Sequence, residues 1–74
     1  MIIDPDSPEH PYVQLANWLR EGIMADRIGP RLPSINQLAE QSGLSPATVK
    51  RAVKLLADDG TVRTVRGRGT FVTR

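Results

Sequence analysis

Two short runs of helix-spaced apolar residues meet at Gly43-Leu44-Ser45-Pro46, and this break constrains the fold more than any other feature. Upstream of it, Ser34-Ile35-Asn36-Gln37 fits a capping box, in which Ser34 accepts from the Gln37 backbone and Gln37 reaches back to Ser34. The helix so opened turns Leu38 and Ala39 inward and stops at Gly43, the residue suited to a left-handed position after a helix. Downstream, Ser45 is a good N-cap, and Pro46 at the first helical position loses no hydrogen bond. Val49, Ala52, Val53 and Leu56 form the inward stripe of the second helix, Lys50, Arg51 and Lys54 lie on its other faces, and Gly60 closes it. Two short helices joined by a tight glycine turn make a helix-turn-helix. The small Ala39 allows close approach, Gly43 permits a positive φ, and Val49 locks the second helix onto the first, with Leu44 and Ala52 filling inward positions.

The flanks complete the architecture. Pro11 suits the start of a helix, and Leu15, Ala16, Leu19, Ile23 and Met24 then recur at helical spacing to about Ala25, with Trp18 read as core or rim packing. Gly29 and Pro30 break the chain, and Arg31-Leu32-Pro33 reads as a short extended link. Residues 1–10, rich in proline and without apolar period, read as an extended or mobile arm. After Gly60 the pattern changes to β-branched segments, 61–66 and 70–73, around Gly67-Arg68-Gly69, which reads as a β-hairpin. Seventy-four residues make one domain with a thin core, and the chain has no cysteine to staple it. The expected fold is α+β, mainly α: a three-helix winged helix-turn-helix over 11–74 with a C-terminal β-hairpin wing.

Charge adds a functional direction. Residues 1–41 carry three basic and six acidic side chains, a balance of −3, whereas 42–74 carry seven and two, a balance of +5. A basic half on a small domain is the footprint of a polyanion binder, although a solvated basic face has the same composition. The second helix of the pair would be the recognition helix, its first turn presenting Ser45, Ala47, Thr48, Lys50 and Arg51 to the major groove. Thr48 suits a phosphate or base, Ala47 a thymine methyl, and Lys50 or Arg51 guanine or phosphate. Against this stand an intrahelical bond for Thr48 and solvated surface for Arg51 and Lys54. Arg66-Gly67-Arg68-Gly69 would be the wing tip, slim and cationic as a minor groove requires.

These residues resemble a known family. Leu32-Pro33-Ser34, Leu38-Ala39-Glu40-Gln41, Gly43-Leu44-Ser45, Thr48-Val49-Lys50-Arg51-Ala52 and Gly67-Arg68-Gly69-Thr70-Phe71-Val72 are similar, in order and spacing, to the DNA-binding domain of GntR-family bacterial regulators. Pro11-Tyr12-Val13-Gln14-Leu15-Ala16 and Arg27-Ile28 extend the likeness over about residues 10–73. The resemblance implies a winged helix that binds double-stranded operator DNA, usually as a homodimer on a near-palindromic site. It implies contacts at Asn36, Pro46, Thr48, Lys50, Arg68 and Gly69. Three positions depart: Ile35-Asn36 stand where Glu-Arg is common, Pro46 where Arg is common, and Thr61 where a large apolar residue is common. Lost arginines shift the expected weight toward Lys50, Arg51 and the wing. Family members normally continue into an effector-binding, dimerising domain. This chain stops at Arg74, as an excised piece or a regulator without that domain, and no effector site is expected within it.

The candidate DNA-binding set is therefore Ser34, Asn36, Ser45, Pro46, Ala47, Thr48, Lys50, Arg51, Lys54, Arg66, Gly67, Arg68 and Gly69. No catalytic residues, cofactor or metal are expected: Ser34 and Ser45 act as caps, and the one histidine, His10, has no partner at ligand spacing. No run approaches the roughly 20 apolar residues of a membrane span, and the N-terminus lacks a signal-peptide pattern. A cytoplasmic regulator, a repressor more readily than an activator, is the expected function. The alternative is a winged-helix module that binds an acidic protein partner.

Overall fold

The computed structural model describes residues 3–73, which form three helices and a two-stranded hairpin. Met1 and Ile2 of the expected arm, and Arg74, lie outside the described residues. Helix α1 spans Pro11–Met24, α2 Ile35–Ser42 and α3 Pro46–Asp58; strands β1 (Val62–Val65) and β2 (Gly69–Val72) follow. The core gathers one stripe from each helix. Leu15 and Leu19 of α1, Leu38 of α2, and Val49 and Leu56 of α3 are fully buried, with Leu32 and Val62 closing the hairpin side. Burying each such side chain stabilises by roughly 1.5–3 kcal/mol, which for a domain this small makes every large aliphatic count.

The helix ends follow from local chemistry. Ser34 accepts from Gln37 N–H at 3.1 Å, and Gln37 Oε1 accepts from Ser34 N–H at 3.0 Å, completing the capping box. Gly43 takes φ 72° and donates to the Ala39 carbonyl, ending α2. Pro46 opens α3 behind Ser45, and Gly60 (φ 83°) ends it, with Thr61 N–H reaching back to the Leu56 carbonyl at 2.9 Å. Helix α1 ends at Met24 with Ala25 as its C-cap, where the spacing put it. Asp26 takes the left-handed conformation (φ 57°), and Arg27 N–H donates to the Gly22 carbonyl at 2.8 Å. Asp26 N–H bonds the Ile23 carbonyl, so a Schellman motif closes α1 before the Gly29-Pro30 break.

Two expectations are corrected. Met24, assigned to the inward stripe, is 79% exposed. It lies about 100° around the helix from the buried Ile23, on the last turn, where no element covers it. Trp18, expected at the core or its rim, sits at the rim, 38% exposed. The arm is neither extended nor loose from residue 4 onward. Gln14 holds it, accepting from Asp4 N–H at 2.8 Å and donating to the Asp4 and Glu9 carbonyls at 2.9 and 3.0 Å.

The hairpin is antiparallel, pairing Val62 with Val72 and Val65 with Gly69. Its turn is Arg66-Gly67-Arg68, closed by Arg68 N–H on the Val65 carbonyl at 2.9 Å, with Gly67 at φ 77° in the position that favours glycine. Gly69, expected within the turn, already belongs to β2. The Arg31 link is also more than a link. Val72 N–H donates to the Pro30 carbonyl at 2.7 Å and Leu32 N–H to the Thr70 carbonyl at 2.9 Å. Arg31 thereby bridges Phe71 antiparallel and gives the wing a partner on its outer edge. No helix among the described residues is long and apolar enough to cross a membrane.

Candidate nucleic-acid interface

Helix α3 presents its first turn outward because its apolar stripe, Val49, Ala52, Val53 and Leu56, is consumed by α1 and α2. Ser45, Pro46, Ala47 and Lys50 are exposed, and Thr48 is half-buried. The Thr48 hydroxyl lies 2.9 Å from the Ser45 hydroxyl, which also accepts Thr48 N–H at 3.2 Å. Both hydroxyls thus brace the cap. A hydroxyl holds one proton and two lone pairs, so the pair retains capacity toward a ligand. Among the described residues Lys50 has no ion pair.

Arg51 and Lys54 are placed otherwise. The Arg51 guanidinium carbon lies 4.3 Å from the centre of the Tyr12 ring, which itself stacks on His10 at 5.9 Å. Arg51 is therefore drawn toward the start of α1 by a cation–π contact. Lys54 Nζ pairs with Asp58 one turn along, at 3.0 Å. Each cation keeps exposure but has a partner within the domain, so Lys50 carries the unshared charge of this helix.

The wing supplies the remainder. Arg66, Gly67 and Arg68 are exposed at its tip, and Gly69 is half-buried beneath them. Neither arginine meets a carboxylate among the described residues. Gly69 has φ 114°, and a Cβ there would sit 3.0 Å from Arg31 Nε. Ser34 and Asn36 are both exposed near the start of α2, Ser34 serving as the cap, with Asn36 open to solvent. The first turn of α3, the exposed start of α2 and the wing are thus the three places where candidate residues gather.

A scaffold contact holds the far end of α3. Asp59 accepts from the hydroxyl and N–H of Thr61 and pairs with Arg20 of α1. The Thr61 hydroxyl first, then Arg20, then the Thr61 N–H hold its carboxyl below the usual carboxylate pKa, against a smaller desolvation effect. Thr61, unusual by the family pattern, is therefore useful here as the hydrogen-bond donor that ties the hairpin's beginning to the helix end. No group of three or more His, Asp or Glu side chains among the described residues is disposed to hold a metal.

The sequence does not single out Arg31. Its only local signal was a lone base beside Leu32-Pro33; what places it is pairing with Phe71, forty positions away.

A family model described as "Bacterial regulatory proteins, gntR family" matches residues 11–72. The chain is 39% identical over 75 residues to the HTH-type transcriptional repressor YtrA of Bacillus subtilis, covering 96% of this chain and 56% of that protein. It is 37% identical over 76 residues to the HTH-type transcriptional repressor NagR of the same organism, covering 100% of this chain and 31% of NagR. The chain thus spans about half, or less, of these relatives' length. AraR(DBD), solved in complex with operator ORE1, has a TM-score of 0.87 at 26% identity, covering 99% of this chain and 98% of that one. YtrA from Sulfolobus acidocaldarius, a GntR-family transcription factor, has a TM-score of 0.87 at 34% identity, covering 97% of this chain and 78% of that one.

Proposed function

The chain belongs to the gntR family of bacterial regulatory proteins, and from that premise we propose that it binds double-stranded DNA sequence-specifically in the cytoplasm and represses transcription. The first turn of α3 enters the major groove, with Ala47, Thr48 and Lys50 at base edges and Ser45 and Pro46 fixing the approach. Arg66 and Arg68 flank it at the backbone or minor groove, and Asn36 and Ser34 meet the strand beside α2. Arg51 and Lys54, each with a partner inside the domain, add field strength rather than base readout. The observation that carries the reading is that Lys50, Arg66 and Arg68, exposed and without acid partners among the described residues, stand on the two elements a winged helix offers to DNA.

One module of this size buries about 600–1,000 Å² on DNA, so a single copy binds modestly. Two copies on inverted half-sites, about 34–36 Å apart, supply the missing affinity. Each copy neutralises ~3–5 phosphates, giving log K against log salt a slope of about −3 to −4 per copy. Repression follows from occupying a promoter.

Selection of bound duplexes from a random pool, then titration of the winner at two salt concentrations, tests this. An enriched inverted repeat bound far better than scrambled DNA supports it. Salt-dependent binding without an enriched motif removes specificity, and no binding at low salt overturns the reading in favour of a protein-binding module.

A further inference from the structure

We infer that Arg31 is a DNA phosphate-contact residue, seated where the wing meets the helix-turn-helix pair. The inference rests on the DNA-binding reading above and adds to it a residue that neither the recognition helix nor the wing tip contains.

Three observations carry it. First, Arg31 is fixed. Its backbone bridges Phe71, and the flanking bonds from Val72 to Pro30 and from Leu32 to Thr70 make the link an edge of the wing. Its guanidinium carbon stands 5.9 Å from the centre of the Phe71 ring, and its Nε and Nη2 lie against the Cα of Gly69, where a Cβ would come within 3.0 and 3.2 Å. A side chain held this way has less rotamer freedom left to lose on binding.

Second, among the described residues Arg31 is the one charged side chain lining a half-open groove of about 670 Å³ between the wing and the start of α2. Ser34, Gln37, Gln41 and Thr70 give that groove neutral polar walls. Among the described residues no carboxylate pairs with Arg31. A cation flanked by neutral hydrogen-bonding groups is complemented by an anion, and a guanidinium fork matches phosphate oxygens in pairs.

Third, the groove is continuous with the proposed interface. Gly69 closes it on the wing side and Ser34 on the α2 side, so a strand running from wing to helix pair passes over it. The phosphodiester of that strand is the anion within reach. Close contact with Gly69 also explains why the wing glycine is useful: a side chain there would displace the guanidinium.

The experiment is a salt titration of the full 74-residue chain, the parent against Arg31→Gln and Arg31→Lys, on the selected duplex and on a scrambled one. One phosphate contact contributes about 0.9 to the salt slope. Arg31→Gln should therefore flatten the slope by about 0.9 on both duplexes, and its loss should be ~3.5-fold larger at 50 mM than at 200 mM salt. Arg31→Lys, which keeps the charge, should keep the parent slope. Partial unfolding scales every affinity by one factor and leaves the slope alone, so a smaller folded fraction does not imitate the result, and Arg31→Lys separates charge from the packing of the wing. A parent-like slope for Arg31→Gln overturns the inference while leaving DNA binding intact. Absence of salt-dependent binding by the parent overturns the DNA reading itself.

Discussion

Gly22 sets two effects of known size against each other. It is buried in the last turn of α1, where glycine costs up to about 1 kcal/mol relative to alanine. Gly22→Ala should then stabilise, were space available. A Cβ at this position would stand 2.8 Å from Ile28 Cδ1 and 3.0 Å from Ile28 Cγ1. Carbon atoms in contact prefer about 3.5–4.0 Å, so the end of Ile28 must retreat by roughly 1 Å. Its backbone cannot follow, because the amides of Arg27 and Ile28 both bond the Gly22 carbonyl, at 2.8 and 3.2 Å. The side chain must leave its rotamer while packed on the core, and overpacking of this kind costs about 1–3 kcal/mol. The net expectation is a loss of ~1 kcal/mol, a fall in Tm of about 4–8 °C for a domain of this length. In an Ile28→Ala background the obstruction is gone, and Gly22→Ala should stabilise by ~1 kcal/mol, a coupling of ~2 kcal/mol between the two sites. Urea unfolding of the four proteins, followed by far-UV circular dichroism, reads all four free energies. The same change from Gly22→Ala in both backgrounds would refute the steric argument, as would a gain in the parent.

The remaining expectations concern the interface and its frame. Arg68→Ala should weaken binding to matched and scrambled duplexes alike, whereas Thr48→Ala and Lys50→Ala should change the preference between them; equal losses on both duplexes for all three variants would abolish that division of roles. Asp59→Asn should be less stable than the parent at neutral pH. Because the folded-state pKa lies below the ordinary 3.8, the carboxylate's contribution is complete above about pH 4 and lost as pH falls through the lowered value. Denaturation midpoints from pH 7 to 3 should therefore show the gap closing in acid, and a constant gap would detach it from ionisation. Gly43 has φ 72° and nothing within 4 Å of a would-be Cβ, so Gly43→Ala should cost about 1 kcal/mol through backbone strain alone, and Gly43→Asn less; equal losses in thermal melts would mean that side-chain contacts matter there.

Helix ends were legible wherever the chemistry is local. Ser34 with Gln37, Ser45 with Pro46, and Gly43 and Gly60 are signals contained within three or four residues, and the structure uses each one as a cap or stop. The end of α1 was legible in position but not in cause. Asp26 accepts a left-handed φ of 57°, which aspartate tolerates but does not advertise as glycine does. Met24 misled because spacing of three to five residues looks inward on any helix, and only the absence of an element over the last turn leaves it outside.

The interface was legible as a set of residues but not as a distribution of charge. Lys50, Arg51 and Lys54 look equivalent along α3, yet Tyr12 from α1 engages one and Asp58 another. No spacing rule within α3 foretells the Tyr12 contact, because it depends on how α1 packs across. The same holds for Arg31, whose neighbours Gly69 and Phe71 arrive only when the wing folds back on the link. Phosphate contact needs charge that is not already answered. The domain therefore divides its bases in two. Arg20 and Lys54 pair with carboxylates and Arg51 lies close over the Tyr12 ring, whereas Arg27, Arg31, Lys50, Arg63, Arg66 and Arg68 meet no carboxylate among the described residues. From these the proposed interface draws Lys50, Arg66, Arg68 and Arg31, which lies over Phe71. The set so drawn spans the recognition helix, the link and the wing tip, and it is this set, rather than the net charge of +2, that should set the salt dependence of DNA binding.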